Sequence, residues 1–230
     1  LDSDDIFLNE AFSKFQKKLS EDSNTEIIYS PIKALKKLRP ETEFVQKWDE
    51  KVYKGNALYS FYRSRKDLVP IMDVCLSIFF RKKFLIEKDI RFTSGMIFLE
   101  DAAFIAKSFA VAQTTIFQMT PFYQLRVYPE STSHQNKIYE KDSLNGHING
   151  IKDLLLFNKK HFNDPNRSFL QGLIIKFSLL PYQAAIGTNF FHYSKHKWVH
   201  HTMKAEGLYP INLNTRNYYL RSLAKRANFS

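Results

Sequence analysis

Between residues 6 and 19, apolar side chains recur at Phe7, Leu8, Ala11, Phe12, Phe15 and Leu19, with Lys14, Lys17 and Lys18 between them. Spacings of three and four put the two sets on opposite faces of a helix. Residues 25–29 predict a strand, stopped by Ser30 and Pro31. Residues 33–55 are polar and basic and give no clear element. Asn56 can cap a helix over 57–65. Residues 74–80, β-branched and aromatic, predict a buried strand, and 81–88 a short helix. Ile90, Phe92, Met96 and Phe98 mark a looser extended stretch. A helix then starts at Glu100 and Asp101, with Phe104, Ile105, Phe109 and Val111 apolar. Its acidic first turn suits the positive end of the helix dipole. Residues 114–118 and 122–127 predict two strands separated by Pro121.

Beyond Tyr128 the pattern turns helical, over 148–161, 167–180, 182–203 and 215–227. Asp164-Pro165, Pro181 and Gly207-Leu208-Tyr209-Pro210 punctuate these segments. The chain therefore divides into an α/β part, residues 1–138, and a helical part, residues 139–230. No internal repeat is visible.

Composition narrows the class. The 230 residues are 44% hydrophobic, enough for a sizeable core, which excludes wholesale disorder. The net charge of +11 points to an anionic partner, whether nucleic acid, nucleotide or membrane face. The one cysteine, Cys75, excludes a disulfide framework and fits a reducing, cytoplasmic setting. With seven glycines, a Gly-rich phosphate loop is not expected. No apolar run reaches the roughly 18 residues a spanning helix needs.

Three short segments carry candidate chemistry. Leu1-Asp2-Ser3-Asp4-Asp5 opens the chain without an initiator Met. Carboxylates two apart in an extended segment point the same way and suit a divalent cation that keeps positions open for phosphates. The same cluster also suits a plain helix N-cap, and isolated DxDD motifs are more often caps. Glu100-Asp101 is a second acidic pair, which either complements a helix N-terminus or supplies a general base. Arg126 sits on a strand running into the hydroxyl-rich Ser131-Thr132-Ser133 loop, where guanidinium and hydroxyls can bind phosphate oxygens. Otherwise it is a surface arginine beside a polar turn.

The order of these segments, with Phe80-Arg81-Lys82-Lys83-Phe84-Leu85 and Ile90-Arg91-Phe92 between the first two, resembles a known family. Glu100-Asp101-Ala102-Ala103-Phe104 and then Pro121, Tyr123, Arg126, Ser131 and Ser133 complete the likeness. It is to family 2, GT-A fold bacterial glycosyltransferases that build surface polysaccharides, and it covers residues 1 to about 135. The resemblance implies an α/β, GT-A-like (Rossmann-like) sheet, followed here by a helical C-terminal region. It implies Mn²⁺ or Mg²⁺ held by Asp4, with Asp2 on the metal or the ribose. Asp101 would be the catalytic base, Glu100 would position a sugar, and Arg126 and Ser131 would lie near the donor phosphates. The implied donor is a nucleotide sugar, with a UDP-sugar expected, and the acceptor a glycan or a lipid-linked glycan at the inner membrane surface. Transfer would invert the anomeric carbon.

Two departures stand out. Tyr128 replaces a second arginine, and no glycine immediately precedes Glu100. The nucleotide-binding half of this fold precedes the acidic motif. Three βα units, roughly 90 residues, are therefore expected upstream.

Other readings compete. His196-Lys197-Trp198-Val199-His200-His201, with His192, matches the HxxxHH box of membrane di-iron enzymes. Those need several boxes and spanning helices, so a solvated or membrane-facing basic helix face is expected instead. His134, next to the Ser131–Ser133 loop, is a candidate lone metal ligand. Basic, aromatic-rich composition also suits a non-catalytic module for nucleic acid or anionic membrane. The aromatics, however, fall at core spacing, so nucleic acid is not the expected partner. Residues 169–191, broken by Pro181, form either an interfacial membrane segment or an ordinary buried helical pair.

Overall fold

The computed structural model describes residues 6–8, 11–30, 32–34, 51–54, 78–118, 122–125, 141–165, 168–186, 193–212, 222, 224, 225, 227 and 228. In chain order the elements are β1 (Ile6–Phe7), α1 (Ala11–Glu21), β2 (Ile27–Tyr29), β3 (Ile32–Ala34), β4 (Lys51–Lys54), β5 (Ile78–Phe80) and α2 (Lys82–Glu87). Then follow α3 (Glu100–Val111), β6 (Thr114–Phe117), β7 (Tyr123–Leu125), α4 (Lys141–His161), α5 (Phe169–Ile186) and α6 (Tyr193–Ala205). The protein is mixed α/β. It divides into two compact units, Leu1–Arg91 with Val111–Gln135, and Phe92–Ala110 with Asn136–Ser230.

The first unit holds the strands. One sheet runs β4-β6-β2-β5, with β2 parallel to β6 and both outer pairs antiparallel. The run Ile27-Ile28-Tyr29 is buried along its whole length, as a strand covered on both faces must be. The other sheet runs β1-β7-β3, antiparallel then parallel. Ile28, Ile116 and Phe122 form a buried cluster, and Phe15, Leu19 and Phe79 pack against it. Phe15 and Leu19 are the apolar stripe expected of α1, while Lys14 and Lys17 on its other face are exposed. Arg81 closes the corner after β5, its Nε donating to the Thr25 carbonyl at 2.8 Å.

The expected helix over 6–19 is corrected at its start. Ile6 and Phe7 pair with Gln124 and Tyr123, and the Leu8 N–H donates to the Phe122 carbonyl at 2.8 Å. Their backbone groups are satisfied by a neighbouring strand, so the helical spacing of Phe7 and Leu8 is incidental. The short helix after β5 and the strands near 27–29, 78–80, 114–117 and 123–125 fall where expected. The helix expected over 57–65 lies outside the described residues.

The second unit is helical. In α3, every residue from Ala102 to Phe109 is buried, including Lys107 and Ser108. Packing runs from α4 to α5 and from α5 to α6. Helix α4 begins seven residues before its expected start and runs through Gly146 and Gly150. A Cβ on Gly146 would stand 2.1 Å from the Gly95 carbonyl oxygen, and one on Gly150 2.6 Å from Met96 Sδ. The glycines that weaken the helical signal are thus what lets the 93–96 segment lie on the helix.

Helix α5 is continuous through Pro181, which was expected to break it. Its apolar side chains from Leu170 through Tyr182, apart from the half-buried Leu180, are buried in the unit, so the buried alternative replaces the interfacial one for these residues. The single helix expected over 182–203 is replaced by the end of α5 and by α6, with 187–192 outside the described residues. Helix α6 closes at Gly207, φ 70°, where Gly207 N–H donates to Lys204 O at 3.1 Å and Leu208 N–H to Met203 O at 2.9 Å. This is a Schellman cap, with glycine in the left-handed position.

Candidate functional site

Of the residues singled out by the sequence, Glu100 and Asp101 are described. Asp2, Asp4, Arg126, Ser131, His134 and Cys75 lie outside the described residues. Glu100 and Asp101 form the first turn of α3 and are half-buried, at the point where a helix otherwise enclosed reaches the surface. Leu99 precedes them with φ 61°, and its carbonyl accepts the Ala103 N–H at 3.1 Å. Leu99 therefore holds the N-cap position without a side-chain oxygen to offer. The acidic pair occupies the first two helical positions, where carboxylates complement the dipole by about 0.3–1 kcal/mol each. At the position where the resembled family has glycine, a leucine takes a conformation that glycine adopts without cost.

The segment leading into this turn is irregular but fixed. Met96 is buried against α4. Thr93 Oγ1 donates to Asp153 Oδ2 at 2.5 Å, and Lys107 Nζ donates to the same oxygen at 2.6 Å. Phe92 lies flat on Phe104, centroids 4.3 Å apart and planes 7° from parallel. Phe104 is three residues after Asp101 and four after Glu100, so the stacked rings lie within one turn of both carboxylates. Phe92 remains 53% exposed and Ile97 62%. The turn thus places two half-buried acidic residues beside a flat, partly exposed aromatic ring. Chemically it can accept protons and hydrogen bonds from hydroxyl groups.

The Thr93–Asp153–Lys107 network was not anticipated. Its one visible signal is Lys107 itself, the lone charge between residues 102 and 111. Its partner is 46 residues away in sequence, and no local pattern marks it.

The histidine face is corrected. His196 is buried, edge-on to Tyr182 at 5.5 Å, and His200 is half-buried against Tyr209 at 4.4 Å. This side of α6 therefore faces protein rather than solvent or membrane, while His201 is exposed and His192 lies outside the described residues. Burial, and then Lys204, His196 and His201, hold His200 below its ordinary range. Among the described residues, no group of three or more His, Cys, Asp or Glu could hold a metal, and no helix is long and apolar enough to cross a membrane.

In the first unit, a cleft of about 350 Å³ is walled by Phe15, Leu19, Ile28 and Phe79 and rimmed by Glu26 and Arg81. Both charged groups are occupied with backbone. Glu26 accepts the Gln113 and Thr114 N–H groups, and Arg81 donates to the Thr25 and Ser23 carbonyls.

Compared with known proteins, the chain matches no family model and no curated sequence.

Proposed function

We propose that the chain carries the catalytic and acceptor elements of a GT-A fold glycosyltransferase. It would move a sugar from a nucleotide-sugar donor, a UDP-sugar in the first instance, to a glycan or lipid-linked acceptor of a bacterial surface polysaccharide. The observation that carries this reading is the Glu100–Asp101 pair, raised to the surface on the first turn of an otherwise enclosed helix. The acidic pair stands in the same order relative to Asp2-Ser3-Asp4 and Arg126 as in the resembled family.

In this mechanism the Asp101 carboxylate accepts the proton of an acceptor hydroxyl as that oxygen attacks the anomeric carbon. The bond from that carbon to the donor diphosphate breaks in the same displacement, inverting the centre. Glu100 accepts hydrogen bonds from sugar hydroxyls and orients one of the two sugars. Two carboxylates spaced like Asp2 and Asp4 form a hard oxygen donor set that fits Mn²⁺ or Mg²⁺. Such an ion, when bound, supplies charge stabilisation for the diphosphate leaving group. Arg126 and Ser131 add donors to the phosphates.

The rival reading, a basic aromatic module for nucleic acid or anionic membrane, draws less support. Phe15, Phe79 and Phe122 pack tilted or edge-on against one another, with Phe15–Phe79 at 4.7 Å and Phe79–Phe122 at 5.3 Å, and belong to the core cluster of the first unit.

The test is nucleoside diphosphate release by the complete protein from a panel of UDP-sugars with Mn²⁺. Asp101→Asn is expected to abolish transfer while keeping metal-dependent donor binding. Asp4→Ala is expected to remove the metal dependence of donor binding. Turnover of Asp101→Asn near the parent rate would reject the base assignment.

A further inference from the structure

The one charged side chain in the enclosed stretch of α3 is Lys107, two turns beyond Glu100 and on the same face. A buried ammonium without a partner is costly, so this helix is committed to the Asp153 carboxylate of α4. Asp153 uses the same oxygen, Oδ2, to accept the Thr93 hydroxyl. One carboxylate oxygen therefore ties down both the segment that leads into the acidic turn and the helix that leads out of it. Between the two ties, the chain crosses α4 where Gly146 and Gly150 admit it, buries Met96, and turns at Leu99. A leucine in the left-handed region is unfavourable and persists only where its surroundings over-determine it.

We propose that Asp153, acting through Thr93 and Lys107, is the positioning residue for the Glu100–Asp101 turn. It holds Leu99 in its left-handed conformation and so sets the direction of the Asp101 carboxylate. The catalytic consequence rests on the glycosyltransferase reading above, whereas the positioning itself does not.

The test uses the complete protein with Thr93→Val, which removes the hydroxyl at nearly constant shape and leaves the ion pair, and with Thr93→Ser, which keeps the hydroxyl. The first readout is hydrogen exchange of the Ala103 amide, the one that donates to the Leu99 carbonyl. Its exchange is expected to quicken by about tenfold or more in Thr93→Val. It is expected to stay at the parent rate in Thr93→Ser, with amides in α6 unchanged in both. The second readout is kcat for nucleoside diphosphate release from UDP-sugars with Mn²⁺. A loss on the order of tenfold to a hundredfold is expected in Thr93→Val, with donor KM held and with recovery in Thr93→Ser.

Unchanged Ala103 exchange in Thr93→Val overturns the positioning role outright. Faster exchange with an unchanged kcat overturns its link to catalysis. Faster exchange in a protein whose parent releases no nucleoside diphosphate upholds the positioning and rejects the glycosyltransferase reading instead.

Discussion

His147 Nε2 lies 2.8 Å from the carbonyl oxygen of Phe177, the oxygen that Pro181 leaves without its helical donor. A proline inside a helix has no N–H for the carbonyl four residues back. Here a buried imidazole from α4 donates to it, which fixes the proton on Nε2. His147 Nδ1 is buried with no partner among the described residues. The ring also lies parallel to that of Phe177, 3° apart in plane. This accounts for α5 continuing through a residue that ordinarily ends a helix.

A pH dependence follows. Burial holds the His147 pKa below its ordinary 6.5, with the Phe177 hydrogen bond a smaller opposing effect. Below about pH 6.5 the unfolded chain takes up a proton that the folded chain resists. Stability should therefore be full above that pH and fall as pH drops toward the folded value, by at most about 1.4 kcal/mol per pH unit for one such group. His200, shifted in the same direction, adds with the same sign. Urea midpoints between pH 7.5 and 5 should show this slope, and His147→Gln, which keeps a donor but does not titrate, should flatten it. His147→Ala should cost about 1 kcal/mol or more for the hydrogen bond. It should cost less in a Pro181→Ala background, where residue 181 regains its own N–H. A coupling below ~0.5 kcal/mol would argue against the two residues acting on one carbonyl.

The two glycines of α4 should respond differently to the same substitution. In an ordinary helix interior, Gly→Ala is favourable by about 1 kcal/mol. At Gly146 the new methyl meets the backbone oxygen of Gly95, which cannot move without shifting the segment. Gly146→Ala should therefore destabilise by about 1–3 kcal/mol. At Gly150 the obstacle is the Met96 thioether, a flexible side chain that can yield. Gly150→Ala should fall closer to neutral, and chemical denaturation of the two variants gives the comparison directly.

Leu99 sets up an inversion of the usual rules for conservative change. Leu99→Ile preserves volume, but a β-branched side chain is poorly tolerated at its φ of 61°. A loss of about 1–2 kcal/mol is expected. Leu99→Gly relieves the backbone while losing a half-buried side chain, and should lie near the parent. Thermal midpoints in which Ile is better tolerated than Gly would show that Leu99 is held by its side-chain contacts, not opposed by its backbone.

Much of the fold was readable from local pattern. The start of α3 at Glu100, the strands at 27–29 and 114–117, and the stop of α6 at Gly207 each follow from residues a few positions apart. Periodicity, acidic first turns and left-handed caps act over one or two turns of chain, so sequence alone suffices for them. The acidic pair was legible for the same reason.

The errors share a different cause. Ile6 and Phe7 became a strand because β7, more than a hundred residues later, supplied their hydrogen-bond partners. Pro181 stayed helical because His147 took over the freed carbonyl, and Gly146 was required by a segment fifty residues earlier. His196 turned inward onto Tyr182. Local sequence marked the apolar positions and some helix ends, such as those at Glu100 and Gly207. Which backbone groups and charges found distant partners was set by packing between elements far apart in the chain. A buried carbonyl, ammonium or carboxylate is governed by whatever lies across the interface, and that neighbour is not encoded near it in the chain.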